Sequence, residues 1–211
     1  MKFIEKYQKI FALCGMIGPF FYAMIWILGG ILQPGYNHIT DDVSTLLAVG
    51  APNKLLFDLM EATYGILMII FFASLHWTIN KGKGSILGPG AFLVNFVLHV
   101  VAVFFPLDAG GGILSQTAQI HGILVGLMVF LSIVGLLAMW RRVKNVDRWK
   151  GYDIYTLITL IFLLIFGLLA AIPIGFEIMG LTERLVATTM GQYFVVIGLK
   201  VYRTSGSLVG V

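Results

Sequence analysis

Six stretches of the chain, each about 20 residues long and almost free of charge, restrict its fold more than any other feature. They cover residues 10–32, 55–77, 86–105, 120–140, 154–172 and 185–201. A helix needs about 20 mostly apolar residues to cross a bilayer. A barrel strand instead alternates polarity over about 10 residues, which these runs do not do. The expected fold is therefore all-α, a single domain over residues 1–211 forming an integral membrane bundle of six transmembrane helices. Only 11% of the residues are charged and 59% are hydrophobic. A soluble domain carries about 25% charged residues. That shortfall excludes an ordinary cytosolic enzyme, a disordered chain and a nucleic-acid binder, and makes the lipid bilayer the first expected partner.

Several runs end on recognisable stops. Gln33-Pro34-Gly35 closes the first, Pro106 the third and Pro173 the fifth. The sixth is the shortest. The first follows three lysines and has about 22 apolar residues, longer than a signal-peptide core, so it is expected to be an uncleaved span. One cysteine, Cys14, precludes an intramolecular disulfide. No domain boundary or internal repeat is visible. Gly122 and Gly126 form a small-x-x-x-small face expected to pack within the bundle, with dimerisation as the alternative.

The charges sort by side. One set of loops and ends holds 12 of the 14 bases with only Glu5, Asp147 and Asp153 as acids. The other holds Lys54 and Arg184 against seven acids: Asp41, Asp42, Asp58, Glu61, Asp108, Glu177 and Glu183. Cytoplasmic loops concentrate Lys and Arg, so the basic set, with both termini, is expected to face the cytosol. Arg141-Arg142 with Trp140 and Trp149 reads as an interfacial anchor.

The outer loops carry the unusual residues. After the Pro34-Gly35 turn, Thr40 can cap a short amphipathic helix with Asp41 and Asp42 in its first turn and Val43, Leu46 and Leu47 on one apolar face. His38 stands just before it. The second outer loop contains three consecutive glycines, Gly110 to Gly112, between Asp108 and His121. Asp58 and Glu61 share one face of span two, and an ionisable residue inside a span usually faces a wet cavity. Thr182 can cap span six.

These ends converge on one membrane face as a polar pocket. The candidate catalytic residues are His38, Asp42, Asp108 and His121. Tyr36, Asp41, Ser44, Asp58, Glu61, Glu183 and Arg184 are the candidate binding residues. A catalytic zinc or similar divalent metal needs three N, O or S ligands and an open position for water. His38, His121 and one of Asp41, Asp42 or Asp108 meet that count, with His38, Asp108 and His121 the expected set, although no His-Glu-x-x-His motif is present. Ser44 or Ser115 with His121 and Asp108 has the residue types of a Ser-His-Asp hydrolase without a Gly-x-Ser-x-Gly elbow. Haem is disfavoured, because His76 and His99 differ in depth by about 20 Å and cannot share one iron. His99 reads as a hydrogen-bonded residue of the bundle core.

The segment Pro34-Gly-Tyr-Asn-His-Ile-Thr-Asp-Asp-Val-Ser44 with Gly50-Ala-Pro-Asn53, and Phe105-Pro-Leu-Asp108 with Ile120-His-Gly122, resemble the family called domain of unknown function 998. Arg141-Arg142, Trp149-Lys-Gly-Tyr-Asp153 and Thr182-Glu-Arg184 resemble it too. The resemblance extends over nearly the whole chain. It implies a six-helix protein in the plasma membrane of a prokaryote, and it implies no activity.

Three functions fit these residues. One is a metal-assisted hydrolase or transferase acting on a lipid or other amphiphile at the outer face, with Arg184 taking an anionic group. The second is a non-enzymatic carrier, sensor or lipid-binding protein. The third is a structural subunit that docks a partner.

Overall fold

The computed structural model describes residues 2–172, 174 and 177–205. Among them are six long helices: α1 (Lys2–Leu32), α2 (Lys54–Thr78), α3 (Leu87–Ala102), α4 (Gln116–Val143), α5 (Tyr152–Ala170) and α6 (Met179–Thr204). There is no strand among the described residues. Each helix packs on its neighbours in sequence, and α6 closes the circle on α1. The result is a ring of six helices. The buried Gln8 Nε2 donates to the Val201 carbonyl at 2.9 Å, so the two described ends of the chain meet at one end of the ring.

Five of the helices are long and apolar enough to cross a membrane. Large apolar side chains such as Phe20, Phe130, Ile154 and Leu168 stand exposed on their outer faces. A water-soluble monomer does not present apolar surface on this scale. The protein is accordingly a multi-pass membrane protein. The third run yields a shorter helix than expected: α3 has 16 residues, about 24 Å of rise. It ends at Ala102 and tightens into turns at Phe104 and Phe105, because the residue before Pro106 is biased away from helical conformation. The sixth run yields a longer one. Glu183 and Arg184, which made its start look polar, lie inside α6, and Thr182 is fully buried there, bonding back to the Met179 carbonyl instead of capping. The expected stop at Pro173 lies outside the described residues.

The half of the ring near the termini is packed around aromatic side chains. Phe72 of α2 stacks on Phe92 and Phe96 of α3, with centroids 4.9 and 5.5 Å apart. Phe194 of α6 meets Phe72 edge-on at 5.2 Å. Lipid tails are as apolar as Phe, so this plug holds through dispersion and shape rather than through removal from water. Glycines let the backbones approach. Gly15 and Gly18 of α1 receive Phe71 and Met68 of α2, and Gly88 and Gly135 seat Met139 and Phe92 between α3 and α4. Gly122 and Gly126 do not serve this purpose: a Cβ at either would meet nothing within 4 Å.

Arg142 is buried. Its guanidinium donates to the carbonyls of Ser85, His76 and Ile79 and to His76 Nδ1. It therefore ties the end of α4 to the α2–α3 connection. Trp149 is likewise buried, within the main core cluster, while Arg141 is exposed.

Candidate functional site

At the opposite end the ring is hollow. A cavity of about 470 Å³ lies above the aromatic plug, with walls from all six helices. That volume is in the range of small-molecule sites, about 300–1,000 Å³. Phe96 and Phe194 form part of its lining; Leu163, Val186 and Met190 are among its apolar walls, and Asp42, Asp58, Glu61, His99, His121 and Glu183 are its ionisable groups. Gly122, Val125 and Val129 of α4 line it and are also exposed, and Gly167 of α5 lines it with open space where a Cβ would be.

The loop between α1 and α2, the first of the loops expected to be outer, covers this end. Gly29 and Gly30 of α1 leave a flat seat: a Cβ on Gly29 would strike Leu46, and one on Gly30 would strike the His38 ring. Val43 and Leu46 are buried against Ile25 and Phe57, as the apolar face predicted. The expected helix is a single 3-10 turn over Ser44–Leu47. Asp42, rather than Thr40, holds it, accepting the Thr45 N–H at 2.7 Å. The Val43 N–H donates to Glu183 Oε2 at 2.6 Å, joining the loop to α6. Tyr22 of α1 donates to the other oxygen of Glu183 at 3.3 Å.

Arg184 is the main tie of this loop. It is buried and donates to the carbonyls of His38, Asp41 and Gly180 and to the Tyr36 hydroxyl. Its guanidinium also sits over the Trp26 and Tyr36 rings, at 5.7 and 5.4 Å from their centroids. Planar shape and five donors suit it to this work. Burial pushes the Tyr36 hydroxyl well above its ordinary pKa, even with Arg184 beside it, so it remains protonated and donates to the Asp42 carbonyl at 2.9 Å.

The second outer loop folds beside the first. Gly110 and Gly111 have φ of 71° and 83°, a region that side-chain-bearing residues rarely enter. A Cβ on Gly111 would also press on Thr45 Oγ1. Asp108 accepts the Leu114 and Ser115 N–H groups at 2.7 and 2.8 Å. Hydrogen bonds from Ser115 and Leu114 hold its carboxyl below the ordinary carboxylate range.

Two histidines point into the cavity with defined tautomers. His121 Nδ1 lies 2.8 Å from the Phe105 carbonyl. A carbonyl only accepts, so Nδ1 carries the proton. Nε2 of the neutral ring is then an acceptor, 3.3 Å from Ser44 Oγ. His99 Nδ1 donates to Glu61 Oε1 at 2.8 Å, and its ring stacks on Phe96. Glu61 is only 8% exposed, and its Oε2 is buried without a hydrogen-bond partner. Asn95 is buried below, donating to the Met128 carbonyl and to Ser132 Oγ. Asp58 is paired with Lys54 at 2.6 Å.

Of the residues expected to act, Asp42, Ser44, Asp58, Glu61, His121 and Glu183 meet around the cavity. Tyr36, His38, Asp41, Asp108 and Arg184 do not line it. His38 is exposed and edges the Trp26 and Tyr36 rings. Asp41 bonds within its own turn, to the Asn37 N–H and the Thr40 hydroxyl. Among the described residues no three His, Cys, Asp or Glu side chains are grouped to hold a metal, so His38, Asp108 and His121 are not assembled as a ligand set. Arg184 is turned onto backbone carbonyls and so presents no anion site in the cavity. His99, Asn95, Tyr22 and Tyr64 line the cavity but were not singled out by the sequence as site residues. The available signal was the depth of Glu61 and His99, both in the outer parts of adjacent antiparallel spans.

A family model described as a protein of unknown function (DUF998) matches residues 16–200. No curated protein and no solved structure matches the chain.

Proposed function

The chain belongs to the DUF998 family of unknown function, and we propose that it is a plasma-membrane protein of a prokaryote that holds one amphiphile in the cavity of its helix ring. The observation that carries this reading is the cavity's two-sided chemistry. Its walls are apolar side chains of a membrane bundle, and its rim is a set of carboxylates and histidines. An apolar wall with a few convergent polar groups is the usual make-up of a small-molecule site. The exposed, glycine-containing side between α4 and α5 gives a tail a way in from the bilayer. The basic loops put both termini in the cytosol and the cavity toward the outside. Native mass spectrometry of protein extracted in a mild detergent tests the reading. The expected spectrum has one bound amphiphile per chain; a spectrum of bare protein after gentle extraction contradicts it.

A second reading has a specific support. His121 Nε2 is an acceptor aimed at Ser44 Oγ, with Nδ1 fixed by the Phe105 carbonyl. This is the arrangement of a nucleophile and its base, with a carbonyl as orienting group. On an ester-bearing amphiphile, Ser44 Oγ attacks the carbonyl carbon as its proton passes to His121 Nε2. The imidazolium then protonates the departing alkoxide, and water releases the acyl group by the reverse transfers. Hydrolysis of short-chain esters that is absent from Ser44→Ala and His121→Ala supports this reading. Equal hydrolysis by both variants contradicts it.

A further inference from the structure

We infer that the amphiphile carries a cationic, ammonium-type head group and that Glu61 is its counter-ion; this rests on the amphiphile-binding reading above. Glu61 is 8% exposed, lines the cavity, and leaves Oε2 buried without a partner. A buried carboxylate oxygen with nothing to accept from is costly, and native structures usually fill such a valence. The other three carboxylates at the cavity are already engaged. Asp42 accepts from Thr45, Asp58 is paired with Lys54, and Glu183 accepts from Val43 and Tyr22. Among the described residues, Glu61 Oε2 is the one cavity carboxylate oxygen that is buried without a hydrogen bond.

The surrounding charge points the same way. Among the described residues, four carboxylates face the cavity against two histidines, and no Lys or Arg lines it. Arg184, the nearest buried cation of the outer end, is turned away onto carbonyls. Lys54 offsets one of the four carboxylates, and a phosphate or sulfate head group would meet like charge from the others. Tyr64, one turn beyond Glu61, also lines the cavity. Aromatic faces attract a desolvated ammonium group. An ammonium offers donors to Glu61 Oε2 while its alkyl tail lies along the apolar wall.

The test uses the full chain in nanodiscs and three probes with the same ten-carbon tail: decylammonium, decanol and decyl phosphate. Each is titrated calorimetrically, with empty nanodiscs as the blank. The expected order is decylammonium tightest, by roughly tenfold over decanol, and decyl phosphate weakest. Glu61→Gln should bring decylammonium down to the decanol level and leave decanol unchanged. Glu61→Asp, which keeps the charge but withdraws it, should keep part of the preference. Asp147→Asn, the same charge change at the opposite end of the ring, should keep all of it. Equal binding of decanol and decylammonium by the native chain overturns the inference while leaving the amphiphile reading standing. So does a preference that survives Glu61→Gln, or tighter binding of decyl phosphate. Binding of none of the three removes the amphiphile reading and this inference together.

Discussion

Glu61 of α2 and His99 of α3 meet between adjacent helices of the ring at 2.8 Å, Oε1 to Nδ1, and line its cavity. The pair joins two helices and leaves the second oxygen of Glu61 buried without a hydrogen-bond partner. Polar pairs inside a membrane bundle are costly and usually mark function. The first prediction follows from that cost. Replacing His99 alone by Leu leaves Glu61 with neither oxygen bonded, and should destabilise the fold by about 1–3 kcal/mol. The double variant Glu61→Leu with His99→Leu leaves no unpaired group and should recover most of the loss. Unfolding in detergent micelles reads both. A double variant less stable than the single would mean that the pair is needed for the fold itself.

Arg184 sets the outer loop. Arg184→Ala removes donors from three carbonyls at once, and should cost about 3 kcal/mol or more, since hydrogen bonds to a charged group are worth about 1.5–3 kcal/mol each. Arg184→Lys should not rescue it, because an ammonium lacks the planar fork. The expected signature is rapid proteolysis between Tyr36 and Val49 in both variants. Native-like resistance in Arg184→Lys would show that charge alone holds the loop.

The glycines divide into two kinds. A Cβ on Gly88 would lie 3.0 Å from the Met139 backbone nitrogen, which cannot rotate away. Gly88→Ala should therefore destabilise the α3–α4 contact. At Gly122 and Gly126 a Cβ meets nothing within 4 Å. Alanine there should be neutral or stabilising by up to about 1 kcal/mol, the helix-propensity difference. Thermal melts of the three variants distinguish these outcomes, and a loss at Gly126 would instead point to a contact with a second copy.

Asp108 gives a pH dependence. Its carboxyl titrates below the ordinary value of 3.8, so the ionised form is favoured by the folded loop. The sign follows from linkage: the loop's support is full above the ordinary value and is lost as pH falls through the lowered one. Hydrogen exchange at the Leu114 and Ser115 amides should stay protected from pH 7 down to the ordinary carboxylate range, after allowance for intrinsic rates. Asp108→Asn should weaken that protection even at pH 7. Equal protection in the variant would show that the glycine turn holds without the carboxylate.

Much of this architecture can be read from hydropathy and charge. The six apolar runs mark the six helices, and the sorted charges mark two unlike ends, because both signals are local. The polar pocket is also legible as a convergence of Ser44, Glu61, His121 and Glu183 on one face. What the sequence does not carry is the direction in which each side chain points. Arg184 looks like an anion site, yet loop carbonyls with no partner of their own draw it away from the cavity. His38 looks like a ligand, yet Gly30 gives its ring a seat beside Trp26 and Tyr36. The Glu61–His99 contact depends on the register between α2 and α3, which packing sets over a 38-residue separation. Asp41 and Asp108 look like metal ligands because turn-forming and metal-binding carboxylates are the same residue type.

The central claim is that the ring encloses an amphiphile, and native mass spectrometry of the wild type beside Gly122→Leu tests it most directly. Leucine at residue 122 extends into the cavity from a position with open space, so it blocks occupancy without straining the helix. The account predicts one retained amphiphile per wild-type chain and an occupancy at least roughly tenfold lower in the variant, a difference of about 1.4 kcal/mol. Bare wild-type protein, or equal occupancy in both, would contradict it.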